Sequence, residues 1–273
     1  HAGDAEPQLG QGGKRPPLLD EHGEAVMGIL EVCIDEPAGI DAAVAGGADR
    51  IELCAALSVG GLTPPASLIR LAAEAPIPVH LLARPRDGDF CYSAAEAALI
   101  AQDISLAAEA GLAGVVIGAS APDRRLDVSL LAELVRHARV VGNMRGRPLS
   151  LTLHRAFDLC PDLPAPLEAA VELGFDRILT SGGEPRAVDA LPMLAELHRR
   201  ADGRIGILPG SGIDAACAPA ILATGVRELH ASCRSPGDDA GELERRFGFQ
   251  TGARLRTDPE RVRSLKEIAS PLR

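Results

Sequence analysis

Short apolar runs of strand length alternate along the chain with longer runs of helical period. "GILEVCID" reads as a strand, and "EPAGIDAAVAGGA" as the helix after it, ending near Gly46 and Gly47. "RIEL" precedes "PPASLIRLAAEA", which carries Pro near its first turn. "PVHLLAR" precedes a long helical run for which Ser93 is the N-cap candidate. "GVVIG", "LSLTLHR", "DRILTS", "RIGILPGSG" and "VRELHAS" are five further strands. A helical run follows each, the last being "DPERVRSLKEIA" after a loop. Eight strand–helix units without a linker predict a parallel sheet closed into a single TIM (β/α)8 barrel over residues 27–273. A doubly wound open sheet is the alternative. No GxGxxG follows the first strand to support it, and no organic cofactor is implied.

Side chains alternate across a strand, so parity sorts them into two faces. Leu30, Val32 and Ile34 share one face of the first strand, and Glu31 and Cys33 the other. The same parity sets Arg50, Glu52 and Cys54 against Ile51 and Leu53 in the second strand, and His80 and Arg84 against Val79 and Leu81 in the third. Ser150, Thr152 and His154 share the polar face of the fifth strand, and Glu228, His230 and Ser232 that of the eighth. In a barrel the apolar face meets the helices, so Glu31, Glu52, Arg84, His154, His230 and two thiols are expected inside. Structural ion pairs, such as Glu52 with Arg50 or Arg84, are one reading. The other is a functional site, because unpaired buried charges cost several kcal/mol each and these residues gather toward the C-terminal strand ends, where barrel sites are built.

The loops add glycines and small hydroxyls: "GGLTP" after the second strand, "TSGG" after the sixth, "PGSG" after the seventh, and Ser232 with Arg234 after the eighth. Loops after strands seven and eight are the usual phosphate cradle of this fold, so Gly210, Ser211, Gly212 and Ser232 are anion-site candidates, with a helix expected to start near Asp214. The alternative is that these glycines only make tight turns.

Composition narrows the functional classes. A net charge of −10 argues against a nucleic-acid groove or an anionic membrane as partner. Lys14 and Lys266 are the only lysines, which leaves no core lysine for a Schiff base. The six cysteines are dispersed without CxxC, and no signal-peptide or membrane-spanning pattern occurs, so a reducing cytoplasm is expected. Residues 1–26, polar and rich in Gly and Pro, read as a disordered leader or expression remnant. Cys33 and Cys54 occupy equivalent places on neighbouring strands, about 4.8 Å apart, each two residues beyond a glutamate. They are either a soft-metal pair, suited to Cu(I) or zinc, or small hydrophobes. Cys91, Cys160 and Cys217 read as structural, and His137 and His198 as solvated.

The motifs "LEVCID", "GADRIELC", "GGLTP", "ARPRDGDFCYS", "TLHRAFD", "RILTSGG" and "ELHAS" resemble the CutC family, linked by name to copper homeostasis, from Ile29 to Pro236. The resemblance implies one TIM barrel, a cytoplasmic location and self-association as a homo-oligomer. It carries family motifs onto Glu31, Cys33, Glu52, Cys54, Arg84, Arg86, Asp89, His154, Arg155, Asp158 and His230, and ties a copper role to Cys33 and Cys54.

Two functions follow from these readings. One is a Cu(I)-binding homeostasis protein with Cys33 and Cys54 as ligands. The other is an enzyme acting on a small anionic, phosphorylated metabolite. There Glu52, His154, Asp158 and His230 are the acid–base candidates, and Glu31, Arg84, Arg86 and Arg155 join the loops in ligand binding.

Overall fold

The computed structural model describes residues 28–238, 240–250 and 252–270. The leader assigned to residues 1–26 lies outside the described residues. In chain order, β1 (Ile29–Ile34) leads to α1 (Pro37–Gly46), β2 (Arg50–Leu53) to α2 (Ala66–Ala72), β3 (Val79–Leu82) to α3 (Ala94–Glu109), and β4 (Gly114–Ile117) to α4 (Val128–Met144). Next, β5 (Ser150–Leu153) leads to α5 (Pro164–Leu173), β6 (Arg177–Thr180) to α6 (Leu191–Ala201) and β7 (Gly206–Pro209) to α7 (Ala218–Leu222). After β8 (Glu228–Ala231) the chain forms an antiparallel ribbon, β9 (Arg234–Pro236) with β10 (Leu255–Thr257), and between them the short α8 (Glu242–Arg246). Helix α9 (Pro259–Ala269) completes the ring.

The eight strands pair in parallel in the order β7-β6-β5-β4-β3-β2-β1-β8, a nearly closed (β/α)8 barrel. At the seam Gly210 faces His230: a Cβ on this glycine would lie 3.2 Å from the imidazole Cδ2. Local chemistry sets the helix ends. Ser93 and Glu96 form a reciprocal capping box at α3, and Asp127 and Asp258 cap α4 and α9. At α1 and α5 a glycine at positive φ, Gly47 and Gly174, ends the helix. Where α1 and α9 pack together, a Cβ on Gly46 would fall 2.4 Å from Val262 Cβ, so only glycine lets the two helices meet this closely.

Strand parity holds as predicted. Leu30, Val32, Ile34, Ile51, Leu53, Val79 and Leu81 face the helices and pack with Ile100, Ile104, Leu131 and Leu194 in one core. The register places Glu31 beside Arg50 and His230, and Cys33 beside Glu52. The ion pairs differ from expectation. Arg50 bonds Glu31 and, at 2.6 Å, Glu228, and forms no ion pair with Glu52, because Glu52 lies one interior level further toward the C-terminal mouth. Arg177 approaches Glu228 at 3.5 Å and donates to Ser150 and Thr152 at 2.8 and 3.2 Å. The lower half of the barrel interior is therefore a plug of paired charges, not an apolar core.

Two other expectations change. The helix after β7 starts at Ala218, because the Asp214 carboxylate takes the N–H groups of Ala216 and Cys217 at 3.0 and 2.9 Å. The tail inserts the β9–β10 ribbon, which has no strong period of its own, before α9.

Removing one partner of a buried ion pair strands the other charge, at a cost of about 3–5 kcal/mol. Arg50→Met should lower the unfolding free energy by about that much in urea titrations. Arg50→Met with Glu31→Gln should recover part of the loss, because no lone carboxylate is left inside.

Candidate functional site

The C-terminal mouth of the barrel opens into a cavity of about 850 Å³. Of the residues singled out from sequence, Cys33, Glu52, Arg84, His154 and His230 line it. So do Arg155, Ser211, Gly212 and Ser232 from the loops.

On one wall, Cys33, Glu52 and His230 each direct a ligand-type atom to a common point, all within 4.8 Å of one another. Adjacent strands produce this convergence: Cys33 pairs in register with Glu52, and His230 with Glu31 one level below. The His230 Nδ1–H donates to Glu31 at 2.8 Å, which turns Nε2 toward Glu52, 3.7 Å away. Burial alone would raise the Glu31 pKa, but Arg50 and His230 outweigh it and hold the carboxyl well below the usual range. Burial opposes charge on His230, yet Cys33, Glu52 and Glu31 around it lift its pKa well above that of free imidazole. Burial raises the Glu52 pKa, with Glu31 adding to it and His230 opposing. Burial, and then the Glu52 charge, push the Cys54 thiol far up. A thiol, a carboxylate and an imidazole facing one point can hold a metal ion or exchange a proton.

Further round the cavity, the ends of β5 and β3 carry His154 and Arg84. The His154 Nδ1 accepts the N–H of Ala156 at 3.1 Å, and Phe90 stacks beside the ring at 4.7 Å between centroids. The ring occupies space that Gly118 leaves open, where a Cβ would lie 2.3 Å from His154 Cε1. Burial, then the neighbouring Arg84 charge, drop the His154 pKa to about 3, so the imidazole is neutral.

Comparison with known proteins agrees with this architecture. The CutC family model matches residues 28–235. The chain belongs to the CutC family. CutC family proteins of Sinorhizobium medicae and Rhizobium meliloti are each 49% identical to it, over 89% and 87% of this chain and 97% and 94% of theirs. A solved CutC structure from Streptococcus agalactiae, assigned by name to copper homeostasis, is 30% identical with a TM-score of 0.69 over 76% of this chain and 99% of that one. A thiamine phosphate pyrophosphorylase from Pyrococcus furiosus, 15% identical with a TM-score of 0.53 over 88% of this chain and 95% of that one, shares the fold alone.

Several candidate residues of this CutC family member do other work than their motifs suggested. Glu31 is fully buried off the cavity wall, where it bonds Arg50 and His230. Cys54 is also absent from the wall, and its thiol donates to the Glu52 carboxylate at 3.3 Å. Arg86 lies outside the cavity, where it binds Glu96 and Asp89 and stacks on Tyr92, fastening the loop before α3. Asp158 is a loop staple. Its carboxylate accepts from the Ser181 N–H at 3.0 Å and from Arg155 at 2.8 Å, and it does not line the cavity. Arg155 reaches the cavity but is held by Asp158 and by Ser181 at 2.7 Å.

Most of the Arg84 guanidinium, expected as an anion clamp, is already engaged by the protein. Its terminal nitrogens donate to the backbone oxygens of Val59 and Gly61 at 2.9 Å and of Gly88 at 3.0 Å, so it ties two loops together. The Gly210 N–H is used by Thr180 at 2.9 Å, which removes it from the proposed cradle. Ser211 is held at φ +83° by donating its hydroxyl to Pro185 at 2.7 Å. Among the described residues, none accepts the N–H of Ser211, Gly212 or Ser232.

Sequence reading missed Phe90, which lies between Arg84 and His154, and the stretch Ala253–Leu255, which reaches the cavity from the ribbon. The tight "RPRDGDF" motif marked the first; no periodicity marked the second.

His80 and His154 are both buried and neutral, with pKa values pushed down to about 3 by burial first. A depressed pKa contributes stability that is present above the unfolded value near 6.5 and lost as pH falls toward 3. Each histidine should therefore withdraw about 2 kcal/mol between pH 6.5 and 5. His154→Gln should lose about that much less than the unmutated protein over this interval, measured by urea unfolding at both pH values.

Proposed function

We propose that the protein binds Cu(I) at Cys33 and His230, with Glu52 beside them, and serves copper handling. The observation that carries this reading is the convergence of three ligand-type atoms on one cavity wall. Thiolate and imidazole are both Cu(I) ligands, and the thiolate favours a soft ion. The copper-homeostasis name of the Streptococcus agalactiae relative points the same way. The arrangement refines the expected thiol pair. Cys33 lies on the wall, while Cys54 shares a small cluster with Cys33, Leu82 and Val116 and donates to Glu52. Cu(I) titration against a competing chelator, under reducing conditions, should give one ion per chain. Cys33→Ser should weaken binding by about 100-fold or more, roughly 2.7 kcal/mol, His230→Ala by about tenfold, and Cys54→Ser by less than Cys33→Ser. Undiminished affinity in Cys33→Ser would end this assignment. From the family resemblance we also infer self-association and a cytoplasmic location, which sedimentation and fractionation would check.

A second reading is favoured by a separate observation. The cavity, about 850 Å³, is far larger than one ion needs, and the Ser211, Gly212 and Ser232 N–H groups beside it have no acceptor among the described residues. Such groups suit a phosphate, so an enzyme acting on a small phosphorylated metabolite is the alternative function. Inorganic phosphate at 100 times its dissociation constant would stabilise the protein by about 2.7 kcal/mol. That is several degrees in melting temperature; no shift at tens of millimolar would remove this reading.

A further inference from the structure

We propose that His154 donates its Nε2–H to an oxygen of a bound small molecule, which makes that ligand a carbonyl- or carboxylate-bearing compound. The inference rests on the small-molecule reading of the cavity and gives that ligand its chemical class.

Three observations carry it. First, the tautomer is dictated by the backbone. The Nδ1 atom accepts the Ala156 N–H at 3.1 Å, so the ring proton of the neutral imidazole resides on Nε2. Second, among the described residues that Nε2 is buried without a partner, and so is the Nε of Arg84. Both residues line the cavity and both lie against Phe90, which is 4.7 Å from the His154 ring and 5.0 Å from the Arg84 guanidinium carbon. A buried donor left without an acceptor is costly, and two at one phenyl ring point to a place for an acceptor. Third, the ring is fixed in place. Phe90 covers it, Ala156 holds one nitrogen, and the missing side chain of Gly118 admits its edge.

The donor chemistry selects the class of ligand. Two buried N–H donors, one of them on a guanidinium cation, disfavour a cation between them and accept an oxygen. One neutral donor and one guanidinium N–H match a carbonyl or a carboxylate, whereas the free backbone N–H groups of Ser211, Gly212 and Ser232 better suit a phosphate. A neutral imidazole polarises a carbonyl by hydrogen bonding, without giving up its proton. Burial and the Arg84 charge, which keep the ring uncharged, agree with this role. His154 then has no free lone pair with which to take a proton. It is a donor that positions the ligand, which differs from the acid–base role expected of it under the enzyme reading.

The test uses pyruvate, which carries both groups, and inorganic phosphate as separate probes on the full chain. Nitrogen-15 NMR of the imidazoles should show His154 protonated on Nε2, and pyruvate should shift that resonance. Pyruvate should raise the melting temperature, and His154→Phe should weaken its binding by about tenfold or more. His154→Gln, which restores an N–H donor, should recover part of the affinity. Phosphate stabilisation should be unchanged in His154→Phe. An Nδ1-protonated tautomer, no response of the unmutated protein to pyruvate, or full pyruvate affinity in His154→Phe would each overturn the proposal. A pyruvate response that depends on His154, with no phosphate response, would leave the proposal standing and remove the phosphate reading. The NMR measurement needs no substitution and decides the tautomer even if His154→Phe fails to fold.

Discussion

Glu31 is the group on which the rest of the interior depends. A carboxylate at zero exposure is tolerable only with cations and donors around it, and here Arg50 binds one side and His230 the other. Arg50 also bonds Glu228, which Arg177 approaches, and Arg177 is anchored by Ser150 and Thr152. One continuous network thus runs from the N-terminal plug of the barrel to the imidazole at its mouth. The same carboxylate that neutralises the plug turns His230 toward Cys33 and Glu52. Stability and site geometry are coupled through a single side chain.

Two histidines lining one cavity have their pKa values moved in opposite directions. Both are buried, and burial disfavours the imidazolium in each. Their neighbours decide the outcome. His230 faces Glu31, Glu52 and Cys33, all of which favour its proton; His154 faces Arg84, which opposes it. The cavity is therefore polarised across its width. Cys33, Glu52 and His230 lie on β1, β2 and β8, whereas His154 Nε2 and Arg84 Nε, which have no acceptor among the described residues, lie past the ends of β5 and β3. Such a gradient suits an asymmetric ligand.

The arginines named by the family motifs serve mainly as ties between loops. Arg84 joins the loops after β2 and β3, Arg86 joins its own loop to α3, and Arg155 with Asp158 joins the loops after β5 and β6. Their planar, multi-donor heads match several backbone carbonyls at once, which a lysine would not do. This accounts for motif residues that are specific and yet do not all touch the cavity. Glycines contribute in the same manner by omission. Gly114 leaves room for His80, and Gly118 for His154, so β4 is the strand against which its neighbours' histidines lean.

Much of this was legible in the linear sequence. The alternation of strand and helix, the period-two parity of Glu31, Cys33, Glu52, His154 and His230, and the glycine loops after β7 and β8 are local properties, and the barrel places them as that parity requires. Pairing was not legible. Parity puts Arg50, Glu52 and Glu31 on one face, but only the register between strands decides that Arg50 meets Glu31 and that Glu52 meets Cys33. Nor does the chain declare that Asp158 is consumed by Ser181, or that Ala253–Leu255 returns to the cavity from the ribbon. Side-chain direction follows from backbone period, which is written in neighbouring residues. Partnership, burial and charge state depend on residues far apart in sequence, and only the closed barrel brings those together.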